Sequence, residues 1–124
     1  MLKILLLVIG GSIGTLSRYL LSNTVHKVLG FRFHYATLTV NVIGCLIVGF
    51  LAGLGSGRFK LDANAQLFLT VGFCGAFTTF STFMLETSNL IKLGENLHAF
   101  LNLSLCIVAG FLLFRVGIFL AELV

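Results

Sequence analysis

Proline and tryptophan are missing from this chain of 124 residues, and charge is scarce. Asp, Glu, Lys and Arg together make up 10% of it, and only four residues are acidic. A soluble domain of this size needs a charged surface, which this composition cannot supply. The same poverty argues against an enzyme: no Ser-His-Asp grouping or phosphate loop occurs anywhere. Cysteine is sparse too. Cys45, Cys74 and Cys106 each lie deep in an apolar run, which reads as buried thiols and neither a disulfide framework nor a zinc site. His26 and His34 have no carboxylate or thiol at ligand spacing and read as interfacial residues. The net charge of +4 is spread between apolar runs and forms no basic stripe, so no nucleic-acid partner is expected.

What the chain does have is apolar length. It is 58% hydrophobic, and a membrane-spanning helix needs about 20 predominantly apolar residues. Four segments qualify, roughly residues 2–21, 35–54, 65–85 and 99–120. The expected architecture is one all-α, four-helix transmembrane domain. The first segment has no convincing small-residue cleavage site behind it and reads as a span, not as a cleaved signal. Gly10, Gly11 and Gly14 give it a small-residue face for a close neighbour, and Gly49, Gly53 and Gly57 do the same for the second. Arg18 stands near the far end of the first span, where a long side chain can reach an interface or a wet vestibule. A basic loop with His26, Lys27, Arg32 and His34 is expected to follow.

The third segment contains the unusual stretch, Gly72 to Phe83, with the sequence GFCGAFTTFSTF. Two glycines, four hydroxyl residues and four phenylalanines share it. In a membrane, backbone polar groups must be satisfied internally, and a loosened helix survives only where protein or a water-filled cavity covers it. Gly75 removes bulk where Thr78, Thr79, Ser81 and Thr82 offer hydroxyls, so the third helix is expected to be broken near its middle, at a substrate or ion site. Close packing of small and hydroxyl residues is the alternative. Phe77, Phe80 and Phe83 are spaced by three and would share one side of a helix. Ring edges carry partial positive charge, and two of them facing a narrow polar track could stabilise a small anion without a fixed cation. Asn41, in the second span, is costly to bury without partners. Two roles are open to it: knitting helices together, or donating its NH₂ to a passing anion.

Four spans put both termini on one side. Lys3, Arg58, Lys60 and Arg115 then fall on the terminal side, against Arg18, Lys27, Arg32 and Lys92 on the other, four against four. Orientation follows an excess of Lys and Arg on the cytoplasmic side. Without an excess the chain should insert both ways, and association of the two orientations predicts an antiparallel, dual-topology homodimer.

These residues resemble the Fluc or CrcB family of fluoride channels along the whole chain. The resemblance is carried by Gly10-Gly11-x-x-Gly14-x-x-x-Arg18, by Thr39-Val40-Asn41-x-x-Gly44, and above all by the stretch Gly72 to Phe83 followed by Glu86. It implies a multi-pass protein of the cell inner membrane that exports fluoride passively and relieves its toxicity. It also implies two parallel pores in a dual-topology dimer and a structural sodium ion at the dimer centre, held by the backbone carbonyls of Gly75 and Thr78. Fluoride would pass the edges of Phe80 and Phe83 with Asn41 reaching the same path. Ser81 and Thr82 would continue the polar track, and Arg18 and Glu86 would border the vestibules. Many relatives carry a tyrosine and a serine where this chain has Asn102 and Cys106, so the fourth-helix contacts need not carry over. The alternative is a small four-helix, dual-topology antiporter that exchanges protons for drugs. Such a protein needs a carboxylate within the membrane, typically in its first helix, and this first helix has none.

Overall fold

A computed structural model describes residues 1–30, 34–56 and 61–124, with the side chain of Ser56 excluded. The described residues are helical almost throughout. Helix α1 runs Leu2–Leu29, α2 Tyr35–Ser56, α3 Ala63–Gln66, α4 Gly75–Phe77, α5 Phe80–Lys92 and α6 Asn96–Glu122; a π-helical segment, Leu67–Cys74, joins α3 to α4. Four stretches are long and apolar enough to cross a membrane: Leu2–Leu29, Tyr35–Gly55, Ala63–Lys92 and Asn96–Glu122. The protein is a multi-pass membrane protein. Arg32, Gly57, Arg58 and Lys60 lie outside the described residues, and with them parts of the charge count and of the second glycine series.

The helices outrun their apolar cores. The sequence places a basic loop after Leu21, but α1 continues to Leu29 and takes in His26 and Lys27. Nothing between Ser22 and Leu29 is glycine or proline, so the helix has no reason to stop where the hydrophobicity stops. Gly30 ends it with φ 75°, its N–H bonded to His26 O at 2.9 Å. Gly94, at φ 77°, turns the chain from α5 into α6. Its N–H reaches Ile91 O at 3.0 Å and that of Glu95 reaches Leu90 O at 2.9 Å, the paired bonds of a Schellman cap. Asp62 starts α3 by accepting from Ala65 N at 3.0 Å.

Glycine decides which helices touch. A Cβ on Gly49 would strike the Phe114 carbonyl, and one on Gly117 would strike that of Leu46, so α2 and α6 meet backbone to backbone. Gly53 lies against Ala121 on the same seam. A Cβ on Gly10 would come within 2.7 Å of Phe68 O, and one on Gly14 would strike the Phe73 carbonyl, which seats α1 on the π segment. Lipid is as apolar as leucine, so such contacts are held by close packing and not by a hydrophobic drive between helices.

The third span departs most from regularity. Gly75 N–H bonds to Thr70 O, five residues back, closing the π segment. Thr78 (φ −83°, ψ 160°) and Thr79 (φ −150°, ψ 114°) are then extended before α5 begins. The axis scarcely responds: the run as a whole bends by 18°. There is thus no abrupt change of direction here, only a two-residue lapse in the helical hydrogen-bond ladder. That lapse splits the expected phenylalanine stripe. Phe77 stacks on Phe73, with centroids 5.5 Å apart and planes 10° from parallel, whereas Phe80 tilts against Phe83 at 5.9 Å and 58°.

Candidate functional site

Two extended residues leave orphan polar groups on both sides, since the last carbonyls of one helical piece and the first amides of the next lose their helical partners. The chain satisfies them locally first. Thr78 N–H and Oγ1 both donate to Cys74 O at 3.0 Å. Thr79 caps α5: its Oγ1 accepts from Thr82 N at 3.3 Å and stands 2.9 Å from Thr82 Oγ1. What remains is taken up by other helices. Thr79 N–H donates to Asn41 Oδ1 at 2.8 Å, and Asn41 Nδ2 donates back to Thr79 O at 2.9 Å. A side-chain amide from α2 thus stands in for the missing turn. Asn41 Nδ2 makes one further, long contact of 3.9 Å with Cys106 Sγ on α6. Arg18 Nη1, from α1, donates to Thr78 O at 3.4 Å.

Two concavities flank this junction. A groove of about 410 Å³ is lined by Asn41, Cys45, Thr78, Phe80, Phe83 and Cys106 among others, and its walls are mostly apolar. A cavity of about 390 Å³ on the other side is more polar and is lined by Arg18, His26, Thr37, Thr82 and Glu86 among others. Thr79 belongs to both. The residue clamped by Asn41 is therefore the partition between a polar chamber, lined by Arg18, Glu86 and hydroxyls, and an aromatic groove. The two rings differ in setting, Phe80 being 72% exposed and Phe83 4%.

Glu86 is held at the rim of the polar cavity. Its Oε1 accepts from Thr37 Oγ1 at 2.7 Å and lies 3.5 Å from His34 Nδ1, while its buried Oε2 has no hydrogen-bond partner among the described residues. Thus Arg18, Thr82 and Glu86 gather around one chamber and Asn41, Thr78, Phe80 and Phe83 around the other. Ser81 and Gly75 are exposed on the chain and line neither. The sequence offers Thr79 only as one of four hydroxyls at the loosened backbone and not as the cap of α5, although a threonine immediately before a helix start is an N-cap signal. Thr37, with Thr39 and Asn41, breaks the apolar run near the start of the second span, but neither its bond to Glu86 nor that of Asn102 to Thr87 is legible locally, because the partners are distant in sequence.

The arrangement can bind and pass a small anion: one guanidinium, several hydroxyls, an amide and aromatic edges. Fold and site together define a four-span helical membrane protein whose third span opens onto two cavities at a hydrogen-bonded interruption. The chain belongs to the CrcB family, whose model, described as "CrcB-like protein, Camphor Resistance (CrcB)", matches residues 5–118. It is 43% identical over 121 residues to a "Fluoride-specific ion channel FluC" of Dehalococcoides mccartyi, covering 98% of this chain and 93% of that protein. Proteins of the same name from Maridesulfovibrio salexigens (40% over 122 residues, 98% and 97% covered) and Chlorobium chlorochromatii (39% over 119 residues, 96% and 92% covered) are similar to it over the same extent.

Proposed function

We infer that this protein is a fluoride-selective channel of the inner membrane, letting fluoride leave the cell passively. The observation that carries the reading is the Thr79 partition. Arg18 gives the polar cavity a guanidinium that attracts anions, set against the carboxylate of Glu86 on the same lining, and Thr82 offers a hydroxyl there in place of water, the single hydrogen of Thr37 being held by Glu86. Beyond Thr79 the groove offers ring edges, those of Phe80 and Phe83 nearest the interruption, and the Asn41 amide, with no lysine or arginine among its lining residues. Of the two Asn41 hydrogens, the one aimed at Cys106 Sγ is weakly held and can turn to an anion at little cost. Several modest donors, none a fixed charge within the groove, suit an ion that must bind and then leave. Proton-coupled drug exchange finds no support: the carboxylate concerned, Glu86, is tied to Thr37, and the similar proteins are named for fluoride.

The functional unit is an antiparallel homodimer. The even charge count favours insertion both ways, and a groove that leaves Phe80 72% exposed on one chain lacks a second wall. A sodium ion at the dimer centre fits the carbonyls in part. Thr79 N–H, which would close a helical bond onto Gly75 O, is drawn away to Asn41, leaving Gly75 O available on an exposed residue. Thr78 O is shared with Arg18, whose contact of 3.4 Å is long enough to yield. When bound, the cation would supply positive charge at the interruption, held by Gly75 and Thr78 of each chain.

The test is efflux from liposomes containing the purified protein, read with a fluoride electrode and, in parallel, a chloride electrode. Rapid fluoride release with negligible chloride release is expected. Equal release of both ions, or of neither, refutes the reading. Reconstitution with a large organic cation in place of sodium should lower flux and weaken the dimer on size-exclusion chromatography; undiminished flux without any small cation rules out the carbonyl site.

A further inference from the structure

Among the described residues, the most deeply buried polar side chain lies outside both cavities. Asn102 on α6 is 1% exposed, and its Nδ2 donates to Thr87 Oγ1 on α5 at 2.9 Å. Thr87 Oγ1 in turn donates to Phe83 O at 2.8 Å. A hydroxyl has one hydrogen and two lone pairs, so the chain has a single sense, from amide through hydroxyl to the carbonyl of Phe83. Each link polarises the next, and no water competes for either.

This chain completes a frame. Asn41 holds α5 at its N-cap, Thr79, and Asn102 holds it about two turns later through Thr87. Phe83 sits between these fixed points. Asn102 and Cys106 are four residues apart and share a face of α6. One face of one helix thus anchors the segment bearing Phe83 and supplies Cys106 to the groove that Phe83 lines. Apolar contacts resist separation of helices but are non-directional and permit sliding. A hydrogen bond restricts both distance and angle.

We propose that Asn102 is a positioning residue for anion selectivity: acting through Thr87, it fixes how far the Phe83 ring stands from the α6 wall, and so the width of the groove. The proposal rests on the fluoride-channel reading. It assigns Asn102 no contact with the ion.

The experiment uses the full chain in liposomes and measures fluoride and chloride efflux separately for Thr87→Val, Asn102→Leu, their combination, and Thr87→Ser. Thr87→Val keeps the volume and deletes the hydroxyl; Asn102→Leu deletes the amide. Each should lower the fluoride-to-chloride flux ratio by about tenfold, the scale set by loss of one buried hydrogen bond. The double variant should match the singles, because both interrupt one chain. Thr87→Ser keeps the hydroxyl and should stay within about twofold of wild type. Thr87→Cys, with a weaker donor, should fall between and serves where a harsher variant does not assemble. An unchanged ratio in Thr87→Val or Thr87→Cys, even with a lower melting temperature, overturns the proposal, since packing alone would then explain the bonds. Absence of fluoride flux from the wild-type protein would instead strike the channel reading beneath it.

Discussion

Asn41 spends its oxygen and one amide hydrogen on the backbone of Thr79, which is the helix-knitting role of the two open to it in the sequence. Asn41→Asp tests both. The aspartate oxygen replacing Nδ2 would face Thr79 O at about the present 2.9 Å, a repulsive contact in place of a bond. Leaving that carbonyl unpartnered costs about 1–3 kcal/mol, and a negative charge beside the path opposes any anion. Fluoride efflux should be abolished and the melting temperature lowered; appreciable flux would show that the anion keeps clear of Asn41. Phe80→Ile and Phe83→Ile keep apolar bulk but delete the ring quadrupole. Each should cut fluoride efflux by about tenfold or more while the protein still elutes as wild type, corresponding to at least 1.4 kcal/mol in the barrier. Phe→Met at either site should be milder, because the thioether is polarisable. Wild-type flux in both isoleucine variants would mean that the rings only pack. That Asn41 and the interleaved hydroxyls would need partners was legible from their chemistry, since such groups are expensive in an apolar run. Their partners were not. Thr79 lies 38 residues from Asn41 and Glu86 lies 49 from Thr37, distances that no local pattern encodes.

Among the elements, the third span sets the terms for the others. The glycine and hydroxyl content of Gly72 to Phe83 pointed to irregular backbone, but not to its form. A π segment is decided by where carbonyls find donors, and periodicity does not reveal that. The unbroken axis has the same cause: Asn41 replaces the lost bonds sideways, so α5 continues nearly in line with α4. Glycines make two opposite predictions. Gly14→Val would drive a branched side chain into the Phe73 carbonyl and should prevent stable folding of the single chain. A Cβ at Gly75 meets nothing in the chain nearer than Thr70 O at 4.0 Å. Gly75→Val should therefore leave the chain helical by circular dichroism while size-exclusion chromatography shows loss of the dimer. A Gly75→Val protein that still dimerises and conducts would place the dimer centre elsewhere.

At the scale of the whole molecule, orientation in the bilayer is a matter of charge count. Three lysines added to the loop between α2 and α3 should hold that loop in the cytoplasm. Such a locked chain should give no fluoride efflux alone and regain it when co-expressed with a chain loaded on the loop between α1 and α2. Full activity of either locked form by itself would refute the antiparallel dimer. Composition alone was enough to put the chain in a membrane, because too little charge exists to clothe a soluble surface. Residue order then sufficed for four spans, since each must carry its own apolar length and satisfy its own backbone. Tertiary structure decided the rest. The splitting of the phenylalanines, the division into a polar and an aromatic chamber at Thr79, and the chain from Asn102 to Phe83 all depend on which helix faces which. That choice turns on close backbone approach at a few glycines and on directional hydrogen bonds between residues distant in sequence, where the uniform apolarity of the spans distinguishes no partner from another.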